Sequence, residues 1–445
     1  MLGYYLRLAL KSFRRTPALT ALMAGAIAFG IAACIVTLTV YHTMSGNPIW
    51  WKNDILYAVT MDSWDPRSPS DQDHPELAPD QLTYQDATYL YGSSIPRRKT
   101  LFILIGSALS GAPGQSIPLS VETGGVTADF FHMFDVPFEY GGPWNAAADT
   151  GPQPVIVLSR RENDKLFGGA DSVGRTILWN NLQFRVVGVM GAWWPQPKFY
   201  NLTGGGDGDF GRPTDAFVPF RWDVTLNRWP SGTMSCWGPS PTNTYQQLLS
   251  SECDWITLWV ELPSAARRQR FLDFMNAYWA QQRQTGRFQR PRNNHVWNVS
   301  QWLGIHHLVS TESRLLLRLA FAFLAVCLIN TVGILLAKFL RGASLTGIRR
   351  ALGASRRQIF EQHLVEVALL SLAGSLLGLA LGVLGLDGVR ALFANSYSGY
   401  GAAAHFDPHG ILWALALAAL SALLAGLYPA WRIGRVSPAV YLKSQ

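Results

Sequence analysis

The side chains that could carry chemistry in this 445-residue sequence form no recognised catalytic pattern. His306 and His307 are adjacent, but neither has a carboxylate or cysteine at the spacing of a metal site. Asp207 and Asp209 stand in a glycine-rich stretch that lacks the spaced ligands and terminal glutamate of a calcium loop. The motifs G-x-x-x-x-G-K-[ST], H-E-x-x-H and G-x-S-x-G are all absent. We therefore expect no catalytic site in this chain, no metal and no cofactor of its own.

Two of the four cysteines are candidates for a disulfide. Cys236 and Cys253 both lie in a long polar segment, predicted below to face outward, where oxidation is allowed. Closing the 16-residue gap between them would stabilise the fold by about 3 kcal/mol. The alternative is a pair of thiols too far apart to bridge. Cys34 and Cys327 fall in apolar runs, where each is expected to act as a small apolar residue.

The loop at 341–360 combines an apolar stripe with a basic rim. Leu345, Ile348 and Leu352 are spaced at i, i+3 and i+7, which places them on one face of a short helix. Such a helix, held between two apolar runs, is suited to docking in a groove of another protein. The alternative is a loop in contact with lipid. The residues predicted to make the docking contact are Leu345, Gly347, Ile348, Arg349, Arg350, Leu352, Gly353, Arg356 and Arg357.

Long apolar runs must position this loop. Only 15% of the residues are charged, against about 25% in soluble proteins, and 49% are hydrophobic. This composition excludes a disordered chain and a simple soluble enzyme. A bilayer core about 30 Å thick is crossed by about 20 helical residues. Four runs are long enough, and we predict membrane helices at 17–43, 312–340, 361–386 and 410–431.

The charges near these runs set the orientation. The N-terminal segment, the loop after the second run and the C-terminal tail, with their flanking residues, carry thirteen basic residues and one acidic residue. The segment from Ser45 to Thr311 carries 21 basic and 24 acidic residues. Because basic flanks stay in the cytoplasm, both termini and the 341–360 loop are predicted to be cytoplasmic. The segments 44–311 and 387–409 then face outward, and the pI of 9.4 reflects topology and not nucleic-acid binding.

The ends of the chain and the long segment have distinct patterns. Residues 1–16 predict an amphipathic helix at the cytoplasmic membrane surface, in contact with lipid, or simply a basic flank. Residues 432–445 form the cytoplasmic tail.

The segment 44–311 holds 15 of the 17 tryptophans. Strands at 154–159 and 256–262, helices at 160–167 and 263–283, and a hairpin turn at Asn180-Asn181 predict an α+β domain. Residues 191–252 are read as a second subdomain.

Two polar residues fall inside the apolar runs, where polar groups are costly. Asn330 is expected to hydrogen-bond across a helix pair, typically worth about 1 kcal/mol or less. Glu366 is predicted either to contact the 341–360 loop, Arg356 or Arg357, or to reach water at the interface. Three glycines recur at every fourth residue and predict close helix packing: Gly374, Gly378 and Gly382.

The 341–360 loop resembles the I-G-I-R-R-A-L-G-A-[ST]-R-R signature of FtsX/MacB-type permeases, the type VII ABC transporters. The ending G-L-Y-P-A from Gly426 is similar to that of the family, and 126–137 and 155–189 resemble parts of the MacB-like periplasmic core. The resemblance covers nearly the whole chain except 191–252. The family often has a glutamate before I-G-I-R-R, where this chain has Leu345 and Thr346, so no salt bridge of that glutamate is expected.

The resemblance implies a membrane α-helical protein with four transmembrane helices and a large α+β domain of Porter-like and Sabre-like subdomains, the latter at 191–252. It implies a multi-pass permease subunit of the bacterial inner membrane with a periplasmic outer domain. MacB carries its ATPase in the same chain, whereas this sequence has no phosphate loop. We therefore expect a separate ABC ATPase dimer that binds ATP and magnesium, and no enzymatic activity in this chain.

The resemblance also implies partners and a task. The ATPase would close on ATP and move the outer domain through a coupling helix at 341–360, by mechanotransmission. The cargo for export or extraction would be a peptide, lipid, lipoprotein or antibiotic-type molecule. Further partners would be a second copy of the chain or a paralogous permease, and a periplasmic adaptor. The alternative is an FtsX-like protein that transmits a signal to a periplasmic partner without transport.

Overall fold

A computed structural model describes residues 2–111, 118–151, 153–202, 209–239, 241, 244–306, 308, 311–341, 347–350, 352–392, 412, 416, 417, 419, 420, 427 and 429. The chain divides into two compact units. The outer domain comprises 45–308, and the membrane unit contains the described residues before 45 and after 308. These bounds lie within three residues of the 44–311 that the sequence predicts for the outer domain.

The strands of the outer domain are β1 Leu56–Thr60, β2 Arg98–Ser110, β3 Leu119–Val126, β4 Phe138–Gly141, β5 Val155–Leu158, β6 Thr176–Trp179, β7 Leu182–Met190, β8 Ala216–Pro219, β9 Ser235–Cys236, β10 Cys253–Asp254, β11 Thr257–Glu261 and β12 His295–Asn298. The helices of the chain are α1 Leu2–Arg15, α2 Pro17–Ser45, α3 Tyr84–Tyr91, α4 Asp129–Met133, α5 Ala147–Thr150, α6 Arg160–Phe167, α7 Arg221–Leu226, α8 Tyr245–Leu249, α9 Ala265–Gln284, α10 Val299–Ile305, α11 Thr311–Arg341 and α12 Arg356–Leu392.

One mixed sheet organises the described part of the outer domain. Its order is β12-β1-β11-β2-β3-β8-β5-β7-β4, and β6 pairs with β2 and β7. The pairs β3–β8 and β5–β7 are parallel, and the other pairs in this sheet are antiparallel. Strands β9 and β10 form a separate two-stranded ribbon. The sheet and its helices confirm the predicted α+β class.

Both faces of the sheet are buried because successive side chains of a strand point to opposite sides. In β2, Leu101 and Ile103 belong to one apolar cluster, and Phe102 and Leu104 belong to the other. The same alternation divides β1 between the two clusters. Strands covered on both faces explain the unbroken apolar runs in the sequence.

Local signals at two turns are confirmed. Asn180 and Asn181 have φ values of 50° and 65° between β6 and β7, as a two-residue hairpin turn of type I′ requires. Helix α6 begins after Ser159, whose hydroxyl accepts from the Glu162 N–H, and ends at Gly168 with φ of 64°. The local sequence therefore determines where these strands and this helix end.

The segment 191–252, which the sequence predicts as a second subdomain, shares the main sheet with the rest of the outer domain through one strand. Strand β8 comes from this segment, yet it lies within the main sheet between β3 and β5. Its residues Ala216, Phe217 and Val218 are fully buried. This strand is only four residues long and is surrounded by Pro, Gly and Asn, so its pairing could not be recognised from local pattern.

The membrane unit contains three described helices that are long and apolar enough to cross a membrane: α2, α11 and α12. They correspond to the first three predicted spans. Helix α12 begins at Arg356, so this arginine and Arg357 lie on the third membrane helix and not in the loop before it. The predicted fourth span and tail lie outside the described residues, apart from seven positions. One of these, Leu417, is buried with Ile31 and Leu324.

Helix α1 has the amphipathic character expected of residues 1–16. Its buried side chains are Tyr5 and Ala9. Its exposed basic side chains are Arg7, Lys11, Arg14 and Arg15. Helix α1 packs against α12, and Ser12 forms a hydrogen bond with that helix.

Glycines of α12 allow close contact with α2. A Cβ atom added at Gly378 would lie 2.9 Å from the Ala28 carbonyl oxygen and 3.0 Å from the Ile31 Cβ. Gly374 and Gly382 approach α2 in the same way one turn before and one turn after. The predicted glycine stripe is therefore the surface on which α2 and α12 meet.

Candidate coupling site at the ends of two membrane helices

The described part of the 341–360 loop is a single helical turn with a defined end. Residues 347–350 are helical, and Gly353 has φ of 103°. The Gly353 N–H donates to the Arg350 carbonyl at 3.1 Å, and the Ala354 N–H donates to the Arg349 carbonyl at 3.0 Å. These two bonds form a Schellman end, which requires a residue such as glycine in the left-handed region.

Helix α12 begins directly after this turn. Ser355 and Gln358 form a reciprocal cap, in which each side chain accepts a hydrogen bond from the other residue's backbone N–H, at 3.2 and 2.9 Å. The turn and α12 are thus separated by only a few residues, and Gly353 sets the change of direction between them. This explains why a glycine and a serine stand at these two positions.

Ile348 and Leu352 present an apolar surface on this turn. Their side chains are 49% and 82% exposed, respectively. They are four residues apart, so they neighbour one another on the helical side of the turn. Leu345, the third member of the predicted stripe, lies outside the described residues. An exposed isoleucine and leucine beside cationic side chains are typical of a protein-binding surface.

The arginines of the loop differ in their contacts. Arg349 donates to the Gln362 side chain at 2.8 Å, which ties the turn to α12. Arg357 pairs with Glu361 at 2.9 Å on the exposed face of the same helix. Arg356 is exposed. These basic groups surround the apolar surface of Ile348 and Leu352.

A buried ion pair joins the helices on either side of the loop. The Lys338 ammonium on α11 lies 2.7 Å from the Glu366 carboxylate on α12, and the two side chains are 8% and 5% exposed. The Ser12 hydroxyl of α1 donates to the same carboxylate at 2.6 Å. His363 Nδ1 lies 3.5 Å from the other carboxylate oxygen. One carboxylate thus brings together three helices of the membrane unit.

Aromatic rings cover this ion pair. The Lys338 ammonium lies 5.1 Å from the centroid of the Phe13 ring, within the range of a cation–π contact. The Phe339 and His363 rings lie with their centroids 4.2 Å apart. The pair therefore has charge-assisted hydrogen bonds and an apolar cover, which a buried ion pair needs in order to offset its desolvation.

The structure corrects the predicted role of Glu366. Glu366 is 4% exposed and hydrogen-bonds to Lys338 and Ser12 instead of Arg356 or Arg357, because it faces α11 and α1. Sequence reasoning counted Lys338 only as a cytoplasmic flanking charge. The signal that could have found the pair is a lone acid near the start of one span and a lone base at the end of the preceding one.

Within the described part of the chain, Asn330 makes no hydrogen bond across a helix pair. Its side chain is exposed on α11, and it bonds to no other described residue. The buried neighbour Thr331 donates instead to the Cys327 carbonyl of its own helix at 2.8 Å. The asparagine points away from the described helices because the helix face that packs inward is that of Leu324, Leu328 and Thr331.

Other candidate groups of the sequence lie in the outer domain. Cys236 and Cys253 are joined by a disulfide between β9 and β10. His306 Nδ1 lies 3.7 Å from the Asp80 carboxylate. His307 and Asp207 lie outside the described residues. Within the described residues, no three histidine, cysteine or acidic side chains are arranged to hold a metal ion.

The fold and the loop are those of a membrane permease with a large outer domain. The MacB-like periplasmic core domain family matches residues 20–273, and the FtsX-like permease C-terminal family matches residues 318–438. The first match alone covers more than half of the chain. The chain therefore belongs to the MacB/FtsX-like family of ABC transporter permeases.

Individual relatives agree with this family. A macrolide export ATP-binding/permease protein MacB of Wolinella succinogenes is 28% identical over 293 residues, covering 65% of this chain and 38% of that protein. The protein of the same description from Escherichia coli K12 is 24% identical over 328 residues, covering 73% and 43%. The chain thus spans about two fifths of the length of these curated relatives.

The chain is also similar to a solved structure. The crystal structure of the periplasmic region of MacB from Actinobacillus actinomycetemcomitans aligns with 59% of this chain and 97% of that one. The sequence identity is 12% and the TM-score is 0.36.

Proposed function

We propose that this chain is the permease component of a MacB-like ABC transporter and that the turn bearing Ile348 and Leu352 is its contact with the ATPase. The observation that carries the proposal is an exposed apolar turn whose flanking helices are joined by the buried Lys338–Glu366 pair. A force that the ATPase exerts on the turn would therefore move α11 and α12 together. A flexible loop between two helices that are not joined to each other would not transmit this force.

The chain connects this site to the outer domain. Helix α11 begins at Thr311, just after the outer domain ends, and α2 ends where the outer domain begins. In our proposal a separate ABC ATPase dimer binds ATP and magnesium in the cytoplasm. Its closure pushes the turn, and the membrane helices pass the movement to a periplasmic outer domain.

The same proposal gives the setting and the task. The chain resides in the bacterial inner membrane with both termini in the cytoplasm and acts with a second permease copy or a paralogue. An adaptor protein in the periplasm would receive the cargo. Because similar proteins are described as macrolide exporters, an antibiotic-type molecule, peptide, lipid or lipoprotein is the proposed class of cargo.

The contact with the ATPase is tested by the double variant Ile348→Asp with Leu352→Asp. Two carboxylates on the apolar surface would have to be desolvated at the interface, so we expect at least a tenfold loss of co-purified ATPase. The control is Val173→Asp, which changes an exposed apolar side chain of the outer domain in the same way. Equal ATPase recovery with the double variant and the control would refute the proposal.

A further inference from the structure

The outer domain contains a cavity that the coupling site does not use. Its volume is about 730 Å³, within the range of roughly 300–1,000 Å³ of small-molecule sites. Five separate stretches of the chain line it: 64–81, 202, 233–236, 254 and 305–306. Apolar atoms come from Leu77, Leu202 and Ile305, and Trp64 contributes an aromatic ring.

Asp254 stands out among the residues that line this cavity. It is 2% exposed, and neither of its carboxylate oxygens has a hydrogen-bond partner among the described residues. Buried carboxylates are normally paired, because an isolated charge in an apolar site is costly. The part of the chain that the structure describes therefore supplies Asp254 with neither the cation nor the hydrogen-bond donor that a buried carboxylate needs.

The neighbouring carboxylates already have their cations. The Arg290 guanidinium lies 2.9 Å from Asp62, and the Arg287 guanidinium lies 2.9 Å from Asp86. Burial, followed by the negative charge of Asp86, raises the pKa of Asp254 well above its usual range. A cation placed in the cavity would reverse that effect by favouring the charged form.

A disulfide at the preceding residue restrains the position of Asp254. It follows Cys253 in β10, and the disulfide to Cys236 holds β10 against β9. In that ribbon Asp254 is paired with Ser235, and both Ser235 and Cys236 line the cavity. A rigid support of this kind lowers the entropic cost of binding because the carboxylate need not be ordered by the ligand.

We propose that this cavity binds a small organic molecule with an ammonium group on an apolar body. The ammonium donates to the Asp254 carboxylate as a charge-assisted hydrogen bond, and the apolar body packs against Trp64 and Leu77. An organic cation fits better than a metal ion, because the described residues offer no cluster of three metal-ligating side chains here. Asp71 and Asp80 add negative charge to the lining. The inference does not depend on the ATPase contact.

The test compares two probes of the same shape, phenethylamine and 2-phenylethanol, on the full chain in detergent. Binding is measured by saturation-transfer NMR titration. We expect the amine to bind at least tenfold more tightly than the alcohol to the natural chain. In Asp254→Asn the amine should fall to the affinity of the alcohol, while the alcohol is unchanged. Asp273→Asn, which removes one exposed carboxylate elsewhere in the outer domain, should behave as the natural chain does.

The outcomes separate a true site from a misfolded variant. Near-ultraviolet circular dichroism checks that Asp254→Asn keeps the fold of the tryptophan-rich outer domain. Should that variant fail to fold, Leu77→Trp leaves Asp254 in place and fills the cavity, and it should weaken amine binding at least tenfold. Equal affinity for amine and alcohol on the natural chain, or amine binding unaffected by the cavity variant, would overturn the proposal.

Discussion

The outer domain and the membrane unit hold their elements together by different means. In the outer domain, large rings fill the space beside the sheet: the Phe130 ring lies within 6.1 Å of the rings of Phe102, Phe134 and Tyr200, measured between centroids. In the membrane unit, glycines of α12 meet isoleucines of α2, so that only one of the two helices places a side chain at the contact. A buried polar contact also joins helices there, the Lys338–Glu366 pair.

The difference follows from the two solvents. In the outer domain, burying apolar surface away from water stabilises the fold by roughly 25 cal/mol per Å², so larger side chains contribute more. Lipid is as apolar as leucine, so membrane helices associate through close packing and a few polar contacts. A glycine surface and a single ion pair can therefore do in the membrane unit what a cluster of rings does in the outer domain.

The largest effect that tests this comparison is expected from Lys338→Met. Removal of the ammonium leaves the Glu366 carboxylate buried without its cation, which should destabilise the membrane unit by about 3 to 5 kcal/mol. The buried thiols of Cys34 and Cys327 report on this unit, and their alkylation during heating should start at a lower temperature. Near-ultraviolet circular dichroism reports on the outer domain, whose signal should change little.

The matched control is Arg390→Met on α12, which breaks the exposed pair with Asp387. Exposed pairs contribute about 0 to 1 kcal/mol, so this variant should stay close to the natural chain. Adding Glu366→Gln to Lys338→Met should recover stability because the unpaired charge is gone. If Lys338→Met and Arg390→Met behaved alike, the ion pair would not be what holds α11 to α12.

A smaller effect is expected from Gly378→Ala. The new methyl would lie 2.9 Å from the Ala28 carbonyl oxygen, so α2 and α12 must move apart, at a cost of about 1 to 3 kcal/mol. Gly388→Ala is the control on the same helix, since nothing lies within 4 Å of its added methyl. Alanine is the better helix former, so the control should be neutral or stabilising. Thiol alkylation during heating distinguishes the two, and equal effects would contradict packing by glycine.

The smallest effect concerns a buried acid of the outer domain. Burial raises the pKa of Asp223 to about 7, against 3.8 for an ordinary aspartate. Between those values the folded chain binds the proton and the unfolded chain does not, so stability falls as the pH rises through this window. From pH 6 to pH 8 the loss should be about 1.4 kcal/mol for the natural chain.

Asp223→Asn isolates this contribution because its amide oxygen can still accept from the Tyr245 hydroxyl, the partner of Asp223. The difference in unfolding temperature between the variant and the natural chain should grow as the pH rises from 6 to 8. Near-ultraviolet circular dichroism follows the transition. A difference that stays constant with pH would contradict the prediction, because it would show that Asp223 does not change its protonation between pH 6 and pH 8.

Sequence patterns were most informative where a short stretch of chain determines its own structure. The Asn180-Asn181 turn, helix α6 between Ser159 and Gly168, and the glycine stripe of α12 each follow from local chemistry. Strand β8 escaped recognition because four apolar residues become a strand only when β3 and β5 provide partners. The bond expected of Asn330 is not found among the described residues for a similar reason: spacing identifies a polar residue in a span but not the direction in which its side chain points.

The sequence by itself determined the three described membrane helices, the size and class of the outer domain, and the family, because apolar length, charge asymmetry and motif order are properties of the chain. Only the tertiary structure decided that Glu366 pairs with Lys338 and Ser12, and that Asp254 lines a cavity without a partner among the described residues. Those facts depend on which distant residues share a buried volume. Charges separated by tens or hundreds of residues interact strongly only once folding has removed the water between them.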